Sequence, residues 1–271
     1  VPSYRVDVQR EADVIEEILR IYGYNNIDIS EKVNATMAHS DKYADHNIQN
    51  VVADQLVAQG FLEIMTNSLV SEKEITTYTE NPQQAVKLLN PLSSDLGYMR
   101  KNLVFSGLEV IAYNNNRKRS DLKLFEFGKN YHYIDGNYSE DKHLALYLTG
   151  NTQPENWGSP AQKVSFFQLK GVVESLFERL GLKEIVTLPL EDSEIVYSEG
   201  FRWQIGETLL GTIGVVKNKV LKEFGIKQEV LVADLNWEVI VAQVQGHKVV
   251  YKEIPKYPEV RRDLALLLDD K

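Results

Sequence analysis

Two extended runs, DLKLFEFGKNYHYID from Asp121 and KHLALYLTG from Lys142, flank a turn containing Gly136 and Asn137. Apolar, β-favouring stretches that close together, joined by turn residues, predict an antiparallel pair. FRWQIGETLLGTIGVV repeats the device, with two strands around Gly206-Glu207. EVLVADLNWEVIVAQV adds one or two strands more. Strands joined mainly by hairpins, with helices between them, indicate an α+β fold: an antiparallel sheet flanked by helices.

The helices announce themselves by period and by their ends. Val14, Ile15, Ile18, Leu19 and Tyr22 recur at helical spacing before Gly23. A second stripe, Ile48, Val51, Val52, Leu56 and Val57, stops at Gly60, giving a helix between Tyr43 and Gly60. Ser71 with Glu74, and Ser165 with Gln168, have capping-box spacing. The second box opens the clearest helix, which Gly181 ends. A further helix spans about Leu103 to Asn114, and KVLKEFG is a short one. FLEIMTNSLV looks like a strand, AVKLLNPL is extended as far as Pro91, and the polar stretch from Asp28 to Lys42 is a linker.

Both ends look like parts of something larger. The chain starts at Val1 in an extended, alternating stretch to Val8, and it closes on EIPKYPEVRRDLALLLDDK, where Leu264 to Leu268 have the length of a buried strand with no following neighbour. These features predict an internal piece of a longer protein.

A chain of 271 residues with 43% hydrophobic and 25% charged residues can bury one large domain, alone or with fragments beside it. Without cysteine there are neither disulfides nor thiolate metal sites, which fits a reducing cytoplasm. No run approaches the ~20 apolar residues a membrane span needs. A net charge of -9 argues against a general nucleic-acid binder, so any contact with phosphate must rest on a local patch.

Two constellations carry possible chemistry. Asp13, Glu16 and Glu17 share one helical face, and Asp7 lies on the extended stretch leading into that helix. Carboxylates gathered this closely repel unless a cation stands among them; Mg2+ or a basic partner surface would serve. A solvated helix N-terminus, where the dipole favours acids, is the plain reading. Arg117, Lys118 and Arg119 follow a helix in an otherwise acidic chain; they suit phosphate or a partner, and equally the dipole of a helix C-terminus. Phosphate loops, G-x-G-x-x-G and metalloprotease histidine pairs are missing, and His39, His46, His132, His143 and His247 are scattered. Catalysis by this segment alone is not expected.

Three stretches together resemble the β-subunit family of phenylalanine–tRNA ligase, bacterial type. PSYRVDVQREADVIEEILRIYGYNNI is similar to the end of the domain preceding the synthetase-like module. NPLSSDLGYMRKNLVFSGLEVIAYNNNRKRSDLKLFEFGKNY is similar to that module's core, and YPEVRRDLALLLDD to the first strand of a ferredoxin-like, anticodon-binding domain. The resemblance implies a division at 1–30 (the end of a DNA-binding-like domain), 31–247 (a synthetase core) and 248–271 (linker and first strand). It implies a class II synthetase fold without catalysis, because the strand Phe127-Gly128-Lys129-Asn130-Tyr131 lacks the Arg-x-Glu that clamps ATP and no Gly-rich Glu-Arg motif closes the sequence. Where many members carry G-E-L-H-P, this chain has Gly214-Val215-Val216-Lys217-Asn218.

The same resemblance implies an (αβ)2 assembly in which a catalytic α subunit uses ATP to attach phenylalanine to tRNA(Phe) in the cytoplasm. Asp7, Asp13, Glu16 and Glu17 match the family's Mg2+ ligands, and Arg117, Lys118 and Arg119 become candidates for tRNA or α-subunit contact. Editing of misacylated tRNA belongs to domains upstream of Val1. A standalone synthetase-like paralogue, binding RNA or regulating without an α partner, is the competing reading; a Mg2+-dependent hydrolase built on the acidic cluster is a third.

Overall fold

The computed structural model describes every residue except 30, 33, 37–43, 80, 154, 191–194, 247–250, 252 and 266–271. The chain divides into two compact units, Val1–Asp41 and Lys42–Lys271. His39, His247, Tyr43 and Leu266 to Leu268, all singled out from sequence, lie outside the described residues.

In the first unit, helix α1 (Glu11–Tyr22) ends at Gly23, whose φ of 91° suits glycine at a helix stop. None of its residues is buried. The stretch before it is not the extended segment that its alternation predicts: Arg5 N donates to Pro2 O and Val8 N to Arg5 O, giving successive turns. An alternating pattern makes a strand only where a ladder partner exists, and none pairs with these residues among those described.

The second unit begins with α2 (Asp45–Ala58), the two-residue strands β1 (Leu62–Glu63) and β2 (Leu69–Val70), α3 (Glu72–Tyr78) and β3 (Tyr98–Met99). Next come α4 (Val104–Asn115), β4 (Leu122–Ile134), β5 (Asn137–Thr149), the small pair β6 (Asn151–Gln153) and β7 (Gln162–Lys163), and α5 (Phe166–Arg179). Strands β8 (Val186–Pro189), β9 (Tyr197–Ile205) and β10 (Thr208–Val216) precede α6 (Asn218–Glu223), β11 (Val230–Asn236) and α7 (Trp237–Gly246). The main sheet has seven strands in the order β1-β4-β5-β11-β10-β9-β8, antiparallel throughout except where β1 meets β4.

Helices cover both faces. Leu144, Leu146 and Leu148 point from β5 into a core shared with α2, α5 and α7; Ala145 and Tyr147 point the other way, toward α3, α4 and α6. That is why β5 reads as an unbroken apolar run: a strand buried on both faces has no polar side to alternate with. Helix α4 reaches the sheet through Gly107, where a Cβ would stand 2.1 Å from the Tyr147 ring, and the Tyr147 hydroxyl donates to Leu103 O at 2.6 Å. The stripe from Leu103 to Ile111 is therefore domain core. In α2, Ile48, Val52 and Leu56 are buried, while Val51 and Val57 are exposed.

Three further expectations change. FLEIMTNSLV supplies two short strands instead of one long one. The hairpin turn is Asp135-Gly136, both at positive φ, and Asn137 already pairs with Ile134. The second half of EVLVADLNWEVIVAQV is a helix: Asn236 Oδ1 accepts from Val239 N, and Trp237, Ile240, Val241 and Val244 form one buried face. At the far end Leu264 is exposed and in no strand. Among the described residues no helix is long and apolar enough to cross a membrane.

Candidate functional site

The four carboxylates predicted as metal ligands are all answered by local cations or backbone donors. Arg5 bridges Asp7 at 3.0 Å and Glu17 at 2.9 Å, and Arg20 reaches Glu16 and Glu17, each at 3.5 Å. Asp13 accepts from the backbone N–H of Arg10 at 2.8 Å and of Gln9 at 3.0 Å, closing the start of α1. Those backbone donors hold the Asp13 carboxyl below its ordinary range, and the Arg5 guanidinium does the same for Asp7. Among the described residues no three His, Cys, Asp or Glu side chains gather closely enough to hold a metal ion. As arranged here the set fits guanidinium groups and not a divalent cation, which needs several oxygens converging on one point.

The basic triplet separates. Arg117 folds back, its guanidinium 3.3 Å from the centre of the Tyr113 ring and donating to Tyr113 O at 2.9 Å. Lys118 adopts φ 63°, turning the chain out of α4. Lys118 and Arg119 then line a cleft of about 480 Å³ against β1 and β4, in company with Glu63 and Asp121. Glu63 and Asp121 offset part of the charge that Lys118 and Arg119 bring to this cleft.

The sheet face beneath α4 holds two polar clusters that sequence reasoning did not single out. In the first, the buried side chains of Arg100 and Glu126 meet at 3.0 Å. Thr66 Oγ1 donates to Glu126 Oε2 at 2.7 Å, Arg100 Nη1 donates to Thr66 Oγ1 at 2.8 Å, and Arg100 Nε donates to Lys129 O at 2.9 Å. Above Gly128 a Cβ would lie 2.5 Å from Arg100 Nη2 and 2.6 Å from Leu103 Cδ2. Arg100 and Leu103 thus sit directly over Gly128 on the strand predicted to lack an ATP clamp.

In the second cluster, His132 Nε2 and Asp141 Oδ2 are 2.9 Å apart, Asp141 Oδ2 lies 3.8 Å from His143 Nε2, and His143 Nδ1 lies 2.7 Å from Asp234 Oδ1. Two histidines that look scattered in sequence become neighbours because β4 and β5 fold back on one another. With the turn at Asp135-Gly136, Asn130 falls opposite Asp141 and Gly128 opposite His143, so the register is the signal that finds this group.

The phenylalanyl tRNA synthetase beta chain CLM domain matches residues 29–237, and the tRNA synthetase B5 domain matches residues 1–24. The phenylalanine–tRNA ligase beta subunit of Bacteroides fragilis is 45% identical, over 100% of this chain and 34% of its own length. Those of Porphyromonas gingivalis and Thermotoga maritima are 38% and 32% identical, each over 99% of this chain and 34% of theirs. The chain thus spans about a third of the length of the curated relatives it matches. Two solved structures of a pyrrolysyl tRNA synthetase from Desulfitobacterium hafniense superpose with TM-scores of 0.57 and 0.59 at 14% and 16% identity. They cover 74% and 75% of this chain and 69% and 70% of their own. This likeness shows a class II tRNA synthetase fold.

Proposed function

The chain belongs to the phenylalanyl-tRNA synthetase β-chain family, and on that premise we propose that it is the non-catalytic, synthetase-like core of a phenylalanine–tRNA ligase β subunit. It assembles with a catalytic α subunit in an (αβ)2 tetramer that uses ATP to attach phenylalanine to tRNA(Phe), and its own contribution is shape and partner surface. The observation that supports this reading is the close cover over Gly128, where a Cβ would meet Arg100 Nη2 and Leu103 Cδ2. Adenylate formation needs preorganised positive charge free to meet the phosphates. Arg100 is spent on Glu126, Thr66 and the Lys129 carbonyl.

The interface is proposed on α2 and β1, where Val51, Val57 and Leu62 stay exposed beside the buried stripe. Contact with tRNA rests on Lys118 and Arg119, since Arg117 is engaged by Tyr113. A Mg2+ role for Asp7, Asp13, Glu16 and Glu17 would require Arg5 and Arg20 to give way and Asp13 to leave the backbone of Gln9 and Arg10.

Co-expression of the full-length protein with its α subunit tests the proposal. Stoichiometric co-purification, with aminoacylation only when both are present and no phenylalanine-dependent pyrophosphate exchange by this chain alone, is the expected result. A stable full-length protein that ignores the α subunit would overturn it and leave the standalone paralogue.

A further inference from the structure

The hairpin of β4 and β5 outruns the sheet. Strand β11 pairs with β5 only from His143 to Thr149, so from Lys142 to the turn the hairpin is an arm with no third strand. Among the described residues the outer edge of β4 is met only at the arm's root, where Tyr131 N donates to Arg100 O and Arg100 Nε to Lys129 O. Two-stranded ribbons are marginal by themselves and depend on what pins them. On one face Lys142 Nζ donates to Asp45 and Gln49 of α2. On the other, the root of the arm is closed by the His132, Asp141, His143, Asp234 series, which ties β4 to β5 and β5 to β11.

We propose that this series is a proton-operated latch: a charged His143 holds the arm against the sheet between Asp141 and Asp234, and loss of that charge releases it. The groups facing His143 are Asp234 on β11, Asp141 on its own strand, Glu238 at the start of α7, and His132, which shares Asp141 from β4. Three carboxylates around one imidazole favour its cation. Burial by itself would lower the pKa of His143, and the Asp234 charge and hydrogen bond, with Asp141 and Glu238, raise it above the ordinary value.

The closed arrangement also carries a penalty that the latch offsets. Asn130, 3% exposed and directly opposite Asp141, keeps its Oδ1 buried with no hydrogen-bond partner among the described residues. Freeing the arm would give that oxygen water. A state with an unmet acceptor on one side and a charge-assisted clasp on the other is poised to change when the charge goes. The sign follows from the raised pKa: the latch is fully closed below the imidazole's unfolded value and opens as pH rises through the folded one.

Nuclear magnetic resonance titration of the chain tests this, following the imidazole signals of His132 and His143 and the amide signals of Tyr131, Tyr133, Tyr138 and Glu140. The expected result is a His143 midpoint above the ordinary histidine value, with the arm amides moving at the same midpoint. In His143→Gln the arm steps vanish; in Asp234→Asn the His143 midpoint drops and the arm steps drop with it. Arm steps that persist in His143→Gln, that are missing while His143 titrates, or that stay in place in Asp234→Asn would each overturn the latch. If His143→Gln fails to fold, Asp234→Asn decides the matter alone.

Discussion

The Arg100 guanidinium and the Glu126 carboxylate face each other at 3.0 Å with both side chains buried, and Thr66 bonds to both. The pair joins the loop before β2 and the residue after β3 to the first long strand of the sheet. A buried ion pair often contributes little net stability, because desolvation cancels much of the attraction, but an orphaned half is costly.

Glu126→Leu should therefore lose about 3–5 kcal/mol in urea unfolding, since it strands the Arg100 charge. Arg100→Met with Glu126→Leu should recover most of that loss, short of what the stranded Thr66 hydroxyl costs. Near-additive losses in the double-mutant cycle would show that the two side chains act independently and that the pair is not the unit.

How much of this was legible follows from which interactions are local. β4, β5, β9 and β10 could be read because each pair is joined by its own turn, and α5 because Ser165, its apolar period and Gly181 agree. α7 was hidden: Val239, Ile240 and Val241 have strand propensity, and only the sheet beneath Trp237 and Val244 selects the helical period. The carboxylates of α1 are visible at their spacing, but their pairing with Arg5, Arg10 and Arg20 depends on how the turns before the helix fold back, which spacing alone does not give. The histidine series and the Arg100 pair span strands distant in sequence, so no local pattern contains them.

Glu74 provides a pH test of the α3 to α4 contact. Its carboxyl is pushed up to about 7, first by burial and then by the nearby Glu109 charge, with Arg100 pulling the other way. A raised carboxyl favours the protonated folded state, so its contribution is fully present below its ordinary value of 4.5 and is lost by the time pH passes about 7. Between those limits wild type should fall relative to Glu74→Gln by on the order of 2 kcal/mol, discounted for partial solvent screening. The measurement is urea stability of both proteins across that range; parallel curves would mean that Glu74 ionises freely.

Arg5 makes the acidic cluster testable from its cationic side. Its guanidinium lies between Asp7 and Glu17, and Asp13 spends its carboxylate on the backbone of Gln9 and Arg10, so Mg2+ finds no open set of oxygens. In wild type, calorimetric titration to about 10 mM Mg2+ should give only dilution heat, because a ligand acts on the folded state only as far as its concentration exceeds its dissociation constant. Arg5→Ala leaves Asp7 without its ion pair and Glu17 with Arg20 alone, and it should acquire a weak, saturable magnesium heat that high salt suppresses. Saturable binding by the wild-type chain would mean that the arginine yields to the metal unaided, and the carboxylates would then return to the role their family resemblance implies.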